Sequence, residues 1–317
     1  MKLLITGATG HIGSHLLRNL PDLSFIDEII IIDSMLANRY CSLFNLSLGC
    51  SFKFLDIDLA SVDPADIPVT DITIHLAAKT DAAQSKKFEA EFEKNNFEAT
   101  KTIVNYAKLS GSKLIFASTT SVYGPQSNTV DENCLNSDLN PQSPYAFTKL
   151  REEKMIMKTL GEMQNSYLIL RLGTVYGYAP GIRFHTAVNK FCFQAATGQH
   201  LTVWRTALDQ VRPYLSLVDF HRAIEHIIQK NIFDNQVYNI ISHNSTVRDI
   251  INAIEDAGCR TDVSFVDHEI MNQLSYHVLN TKFIETKFSF IGELGEGVVD
   301  TLSHLVNLSS NNKVHSK

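Results

Sequence analysis

Lys2-Leu3-Leu4-Ile5-Thr6-Gly7-Ala8-Thr9-Gly10-His11-Ile12-Gly13 is the stretch on which the reading of this chain turns. An apolar run from Lys2 to Thr6 reads as a short strand, and three glycines spaced three apart follow it at once. Glycine permits the left-handed or crowded backbone that such a turn needs. The helix opening at His11 would aim unpaired N–H groups and its positive dipole end at a diphosphate. Taken alone, a glycine triplet is weak evidence. His11 reads as an exposed residue at the helix start.

A second strand strengthens the reading. Ile29, Ile30, Ile31 and Ile32 run into Asp33, which lies 20 residues after Gly13. That is the spacing at which a dinucleotide-binding βαβ unit places an acid on the adenosine ribose. A carboxylate there repels a 2′-phosphate, so the pattern favours NAD over NADP. Arg39 lies nearby but outside the turn.

The 317 residues suffice for a large core or two unequal domains, and 44% hydrophobic with 20% charged residues is ordinary for a globular protein. A net charge of −6, with no run of Lys or Arg, disfavours nucleic acid or an anionic membrane as the main partner. No apolar stretch approaches the roughly 20 residues that span a bilayer. The amino terminus enters a strand directly, without the pattern of a signal peptide. Cys41, Cys50, Cys134, Cys192 and Cys259 are scattered, with no CxxC pair. They read as reduced thiols of a cytoplasmic protein.

Strand patterns over Lys2–Thr6, Glu28–Asp33, Phe52–Ile57, Asp71–Ala77, Lys113–Ser118 and Tyr167–Leu172 alternate with helical ones such as His11–Leu20 and Asn95–Leu109. Continuous apolar strands separated by helices imply a parallel sheet covered on both faces. Ligands of such sheets sit beyond the carboxyl ends of the strands. The second half is less regular. Strands are expected at Leu201–Trp204, Gln236–Ile241 and Asp262–Phe265, with a helix over Thr246–Ala257 capped by Asn244 or Ser245. The final Leu308–Lys317 is polar and expected to fray. Residues 1–173 are expected to bind the dinucleotide. Residues 174–317 are expected to form mainly a substrate cap, with one possible return to the first sheet.

Tyr145 and Lys149 stand four apart behind Pro144, which suits a helix's first turn. An ammonium beside a phenol favours the phenolate and lowers its pKa, making Tyr145 a candidate general base. The strand Leu114–Ala117 ends in Ser118-Thr119-Thr120-Ser121, a run of hydroxyls able to orient a substrate oxygen. Singly, each is an ordinary feature; jointly they are not.

Together these residues resemble the extended short-chain dehydrogenase/reductase family, and within it the NAD-dependent nucleotide-sugar epimerases and dehydratases. The resemblance runs over nearly the whole chain, through Arg171–Gly177 and Arg212-Pro213-Tyr214. It implies an α/β fold: a Rossmann-type doubly wound parallel sheet with a smaller C-terminal α/β substrate-binding domain. It implies Thr119, Tyr145 and Lys149 as the catalytic triad. NAD would be held by Gly7, Gly10, His11, Ile12, Gly13, Asp33, Asp56, Ile57, Leu76, Ala77, Ala78, Asn96, Tyr145 and Lys149. A nucleoside-diphosphate sugar would meet Thr120, Thr174, Val203, Trp204 and Arg212. A bidentate guanidinium at Arg212 suits the diphosphate. Thr174 stands where many members have an asparagine, and Gln273, Leu274 and Ser275 occupy the segment where many carry another arginine. Arg183 is the candidate to compensate. By analogy the chain is expected to form a homodimer through the helix over Asn95–Leu109 and the one beginning near Tyr145.

The family's dehydratases carry an Asp-Glu pair after the catalytic threonine. Here Thr120 and Ser121 follow Thr119, and neither hydroxyl replaces a carboxylic acid. The leading expectation is therefore a 4-epimerase of a nucleoside-diphosphate sugar. The alternatives are a reductase or dehydrogenase of a keto nucleotide sugar and, less favoured, an NAD-binding regulator without turnover. No metal is expected: the histidines form no HExxH or Cys/His cluster, and His221 and His226 are five apart. Asp131 and Glu132 read as a solvated loop.

Overall fold

The computed structural model describes every residue except 47–48, 81–88, 127–128, 165, 268–274 and 306–317. The expected fraying of Leu308–Lys317 lies outside the described residues.

The sheet is legible in the alternation of its apolar residues. Leu3 and Ile5 of β1 (Lys2–Thr6), with Ile29 and Ile31 of β2 (Glu28–Asp33), face one hydrophobic layer. Leu4, Ile30 and Ile32 face the other. Side chains alternate along a strand, so a run apolar at every position must be covered on both faces. The first layer is closed by α1 (His11–Asn19), through Leu16 and Leu17. The second is closed by α2 (Glu89–Ser110) and α3 (Pro144–Leu160), through Ile103, Val104, Ile156 and Leu160.

Five further strands complete the parallel sheet: β3 (Ser51–Asp56), β4 (Ile72–His75), β5 (Lys113–Thr119), β6 (Tyr167–Leu172) and β10 (Gln236–Ile240). Their order is β10-β6-β5-β4-β1-β2-β3. The chain winds outward from β1 in both directions, so the loops after β1 and β4 part there and open a crevice at the strands' carboxyl ends.

A second, smaller layer is built from two short sheets. One orders β11 (His243–Ser245), β9 (Arg212–Ser216) and β7 (Thr174–Tyr176); the other pairs β8 (Leu201–Trp204) with β12 (Val263–Val266). They pack with α4 (Ala187–Ala196), α6 (Val247–Asp256) and α8 (Leu294–Ser303) around Tyr176, Phe191, Val203, Tyr214 and Ile250. Later segments of the chain also pack on the first layer. α5 (Leu217–Lys230) and β10 come back first, then Phe283 and Phe288 around α7 (Thr281–Glu285). Amphipathic α5 completes the cover of the β1 face with Phe220, Ile224 and Ile227, beside Leu16 and Leu17 of α1.

Two local expectations are corrected. The helix α6 is capped by Thr246, because Asn244 and Ser245 are used in β11. The Thr246 hydroxyl accepts from Asp249 N at 3.1 Å, and the Asp249 carboxylate accepts from Thr246 N at 2.8 Å, a reciprocal capping box. Glu132 is half-buried rather than solvated: its carboxylate accepts the backbone N–H of Asn239, and burial pushes its pKa up. No helix among the described residues is long and apolar enough to cross a membrane.

Candidate active site

A cleft of about 760 Å³ runs from the glycine turn across the carboxyl ends of β1, β2, β4 and β5 to the second layer. Gly7, Gly10, His11, Ile12 and Gly13 form its floor. Gly7 has φ +65°, and a Cβ there would stand 2.6 Å from Ala77 N. A Cβ on Gly13 would stand 2.5 Å from Ala8 Cα. Side chains at these positions would push apart the turn, its helix and the loop after β4. The space so preserved, at a helix amino terminus, fits a dinucleotide diphosphate.

The turn is braced from the far half of the chain. Gly181 approaches so closely that a Cβ on it would lie 2.4 Å from Thr9 O, and its N–H donates to Ser14 Oγ at 2.9 Å. His11 is buried, not exposed, with Nε2 donating to Gly177 O at 2.7 Å. Burial pulls its pKa down to about 3, so the ring is neutral. Residue separations of 166 and 167 carry these contacts, and no local pattern announces them.

At the end of β2, Asp33 Oδ2 accepts from Thr9 N at 3.0 Å and from Thr9 Oγ1 at 2.7 Å, and Oδ1 accepts from Met35 N at 3.1 Å. These bonds fix the carboxylate at the cleft wall. Arg39 is brought into the same wall, although the sequence placed it outside the turn. Ile57 and Asp58 line the cleft, whereas Asp56 ends β3 as an exposed residue outside the lining.

The loop after β4 supplies Leu76, Ala77 and Ala78. Thr6 Oγ1 accepts from the N–H groups of Leu76 and Ala77, both at 3.3 Å, and bonds His75 Nδ1 at 2.7 Å. Asn96 is buried and does not line the cleft. It accepts from Lys79 N at 2.8 Å and donates to Lys79 O at 2.9 Å, clamping the loop backbone, while Asn95 beside it reaches the cleft.

Thr119, Tyr145 and Lys149 all line this cleft, and the Lys149 charge acts on the Tyr145 phenol. Thr119 ends β5 and its Oγ1 accepts from Ser121 N at 3.2 Å, which leaves the hydroxyl proton to donate. Ser143 caps α3 by accepting from Ala146 N at 3.2 Å, and Pro144 occupies the first turn. Lys149 is 3% exposed, with its ammonium 4.4 Å above the Phe116 ring. The expected lowering of the Tyr145 pKa is not the net result. Burial pushes the phenol above its ordinary 10, and the opposing pull of Lys149 and Arg183 does not outweigh it.

Thr120, Thr174, Val203, Trp204 and Arg212 all line the far end. The Thr120 hydroxyl donates to Leu172 O at 3.2 Å and lies 3.4 Å from Tyr276 OH, so it is already engaged. Val203 is buried in the second layer's core, whereas Trp204 is 47% exposed at the cleft rim, not a core aromatic. Arg183 reaches this end, and His185, Lys190 and Tyr214 join it; His185 and Lys190 had no motif to mark them. Ser275 accepts from Val211 N at 3.3 Å, while Gln273 and Leu274 lie outside the described residues. The acids lining the cleft, among the described residues, are Asp33 and Asp58, at the carboxyl ends of β2 and β3.

A parallel sheet with a glycine turn, an acid at the end of β2 and a Thr/Tyr/Lys set along one cleft is the arrangement of the short-chain dehydrogenase/reductase type. The NAD dependent epimerase/dehydratase family matches residues 3–240, and the chain belongs to that family. It is 32% identical over 278 residues to a dTDP-D-glucose 4,6-dehydratase of Dictyostelium discoideum, covering 79% of this chain and 62% of that protein. It thus spans less than two thirds of that relative. It is 29% identical over 280 residues to an uncharacterised UDP-glucose epimerase of Bacillus subtilis, covering 84% of this chain and 85% of the relative. Among solved structures, UDP-glucuronic acid 4-epimerase from Bacillus cereus in complex with NAD superposes with a TM-score of 0.81 at 26% identity, over 97% of this chain and 99% of the other.

Proposed function

We propose that the protein is an NAD-dependent 4-epimerase of a nucleoside-diphosphate sugar. The observation that supports this reading is that Thr119, Tyr145 and Lys149 line one cleft in which the acids, among the described residues, are Asp33 and Asp58 alone. A 4,6-elimination needs an acid and a base beside the threonine, and hydroxyls stand there. An epimerisation needs one base and one hydrogen-bond donor.

The glycine turn and Asp33 would hold NAD, which would supply a reversible acceptor for the hydrogen on the sugar carbon. Tyr145 takes the proton from the C4 hydroxyl. Thr119 donates to that oxygen and holds it against the phenol. Lys149 favours the phenolate and steadies the nicotinamide ribose. The cleft would have to let the keto sugar turn and present its other face, and Tyr145 would then return the proton to the C4 oxygen. Arg212 takes the diphosphate, with Arg183 and Lys190 as further cations at the same end. Trp204 and Val203 bound the base. Asn96 acts on the loop backbone rather than on the cofactor itself. A homodimer through α2 and α3 belongs to the same proposal, since Leu109 and Phe147 on them are 72% and 55% exposed.

The test is incubation with NAD and a panel of UDP- and dTDP-sugars, with products resolved by chromatography. Interconversion of 4-epimers without net change in cofactor supports the reading. Stoichiometric cofactor consumption on a keto sugar would replace it with a reductase. Tyr145→Phe is expected to lose at least about 100-fold in kcat while still binding NAD; full turnover in that variant would remove Tyr145 from the mechanism.

A further inference from the structure

Beneath the cleft floor, one turn along α3 from Lys149, lies a carboxylate that the mechanism above does not use. Glu152 is wholly buried and absent from the cleft lining, so it cannot touch a substrate. Its Oε2 sits 3.1 Å from Lys149 Nζ, and both side chains are excluded from water at 0% and 3% exposure. Among the described residues neither Glu152 oxygen accepts a well-formed hydrogen bond. Its neighbour Glu153 is engaged differently, in a two-pronged pair with Arg171. Burying a carboxylate is costly unless a charge opposes it. The Lys149 ammonium is the opposing charge, so the lysine that faces Tyr145 on one side is bound electrostatically on the other.

We propose that Glu152 is a positioning residue that anchors the Lys149 ammonium and limits how strongly it draws a proton from Tyr145. The proposal rests on Tyr145 being the base. In a low-dielectric setting, an ion pair presents a neighbour with much less field than a lone cation does. The other groups facing the pair do not alter the sign. His75 on β4 is buried and held neutral, with burial pulling its pKa to about 3 and Lys149 pulling the same way. Arg183, from the opposite wall, favours the phenolate, as Lys149 does. Glu152 is therefore the opposing charge on this helix, and its removal should release the full pull of Lys149. Tyr145 then ionises at lower pH, although the pair has lost its anchor.

The experiment is an ultraviolet titration of phenolate absorbance on the full chain, with and without Glu152→Gln. Each chain is read as the difference from its own Tyr145→Phe version, because ten tyrosines titrate. Glu152→Gln should lower the Tyr145 midpoint by roughly one pH unit, and the acid limb of kcat/KM should move down with it. An unchanged or raised midpoint overturns the proposal. A buried lysine left alone can unfold a chain, so Lys149→Met/Glu152→Gln, which leaves neither charge, is the second variant. Its midpoint should stay within about half a unit of wild type, since pull and brake leave together. A rise beyond about one unit would reveal an unopposed lysine and overturn the proposal equally. The titration needs no turnover: a shifted midpoint in a chain without epimerase activity would retain Glu152's role and remove the proposed reaction.

Discussion

Arg171 and Glu153 form the joint on which the position of Tyr145 and Lys149 depends. Arg171 on β6 donates from Nε to Glu153 Oε1 at 3.0 Å and from Nη2 to Oε2 at 2.7 Å, and its guanidinium lies 4.9 Å over the Tyr123 ring. Ser118, one residue before Thr119, donates to the same carboxylate. The side chains are 6% and 1% exposed. Burial pulls the Arg171 pKa down, but Glu153 outweighs it and the guanidinium stays charged. Removing one partner leaves the other charge buried and uncompensated, which costs about 3–5 kcal/mol. The losses of the single variants Arg171→Met and Glu153→Leu would then sum to roughly 6–10 kcal/mol if independent. The double variant Arg171→Met/Glu153→Leu buries no charge, and its remaining loss is the acceptor of the Ser118 hydroxyl, about 1–3 kcal/mol. Urea and thermal unfolding followed by circular dichroism should show each single variant melting at least about 6 °C low and the double variant much nearer wild type. A double variant that loses as much as the two singles added together would refute the reasoning. The pair would then contribute only by packing.

Gly181→Ala should weaken NAD binding at least about tenfold by calorimetry with little effect on the far half, because its Cβ would meet the carbonyls of Thr9 and Gly10. An affinity equal to wild type would show that the turn has room to move. Asn96→Ala removes both bonds to the Lys79 backbone and should cost about 1–3 kcal/mol, read as faster amide exchange over residues 76–80 together with lower kcat. His11, His15 and His75 are each held neutral with pKa values near 3, chiefly by burial. An unfolded chain binds those protons below about pH 6.5 and the folded one does not, so stability should fall as pH drops from about 6.5 toward 3. The slope is about 1.4 kcal/mol per unit for each histidine, and His75→Gln should flatten the urea-midpoint profile between about pH 6 and 5 by one such share.

The sequence by itself determined the class of this protein. Glycine spacing, an acid at the end of the second strand, and apolar runs that leave no face for water dictate a covered parallel sheet. Those signals are local, because a turn, a cap or an alternation is written within a few residues. The Tyr145/Lys149 spacing was legible for the same reason. Only the tertiary structure decided what those groups experience. The phenol's burial outweighs its lysine, Asp58 replaces Asp56 at the wall, and Asn96 clamps a loop instead of lining the cleft. Arg39 enters the site, and Lys190 and His185 arrive from a helix and loop that carry no motif. Gly181 braces a turn more than 160 residues away. Such features depend on solvent exclusion and on contacts between distant segments. Neither quantity exists until the two layers have packed against each other.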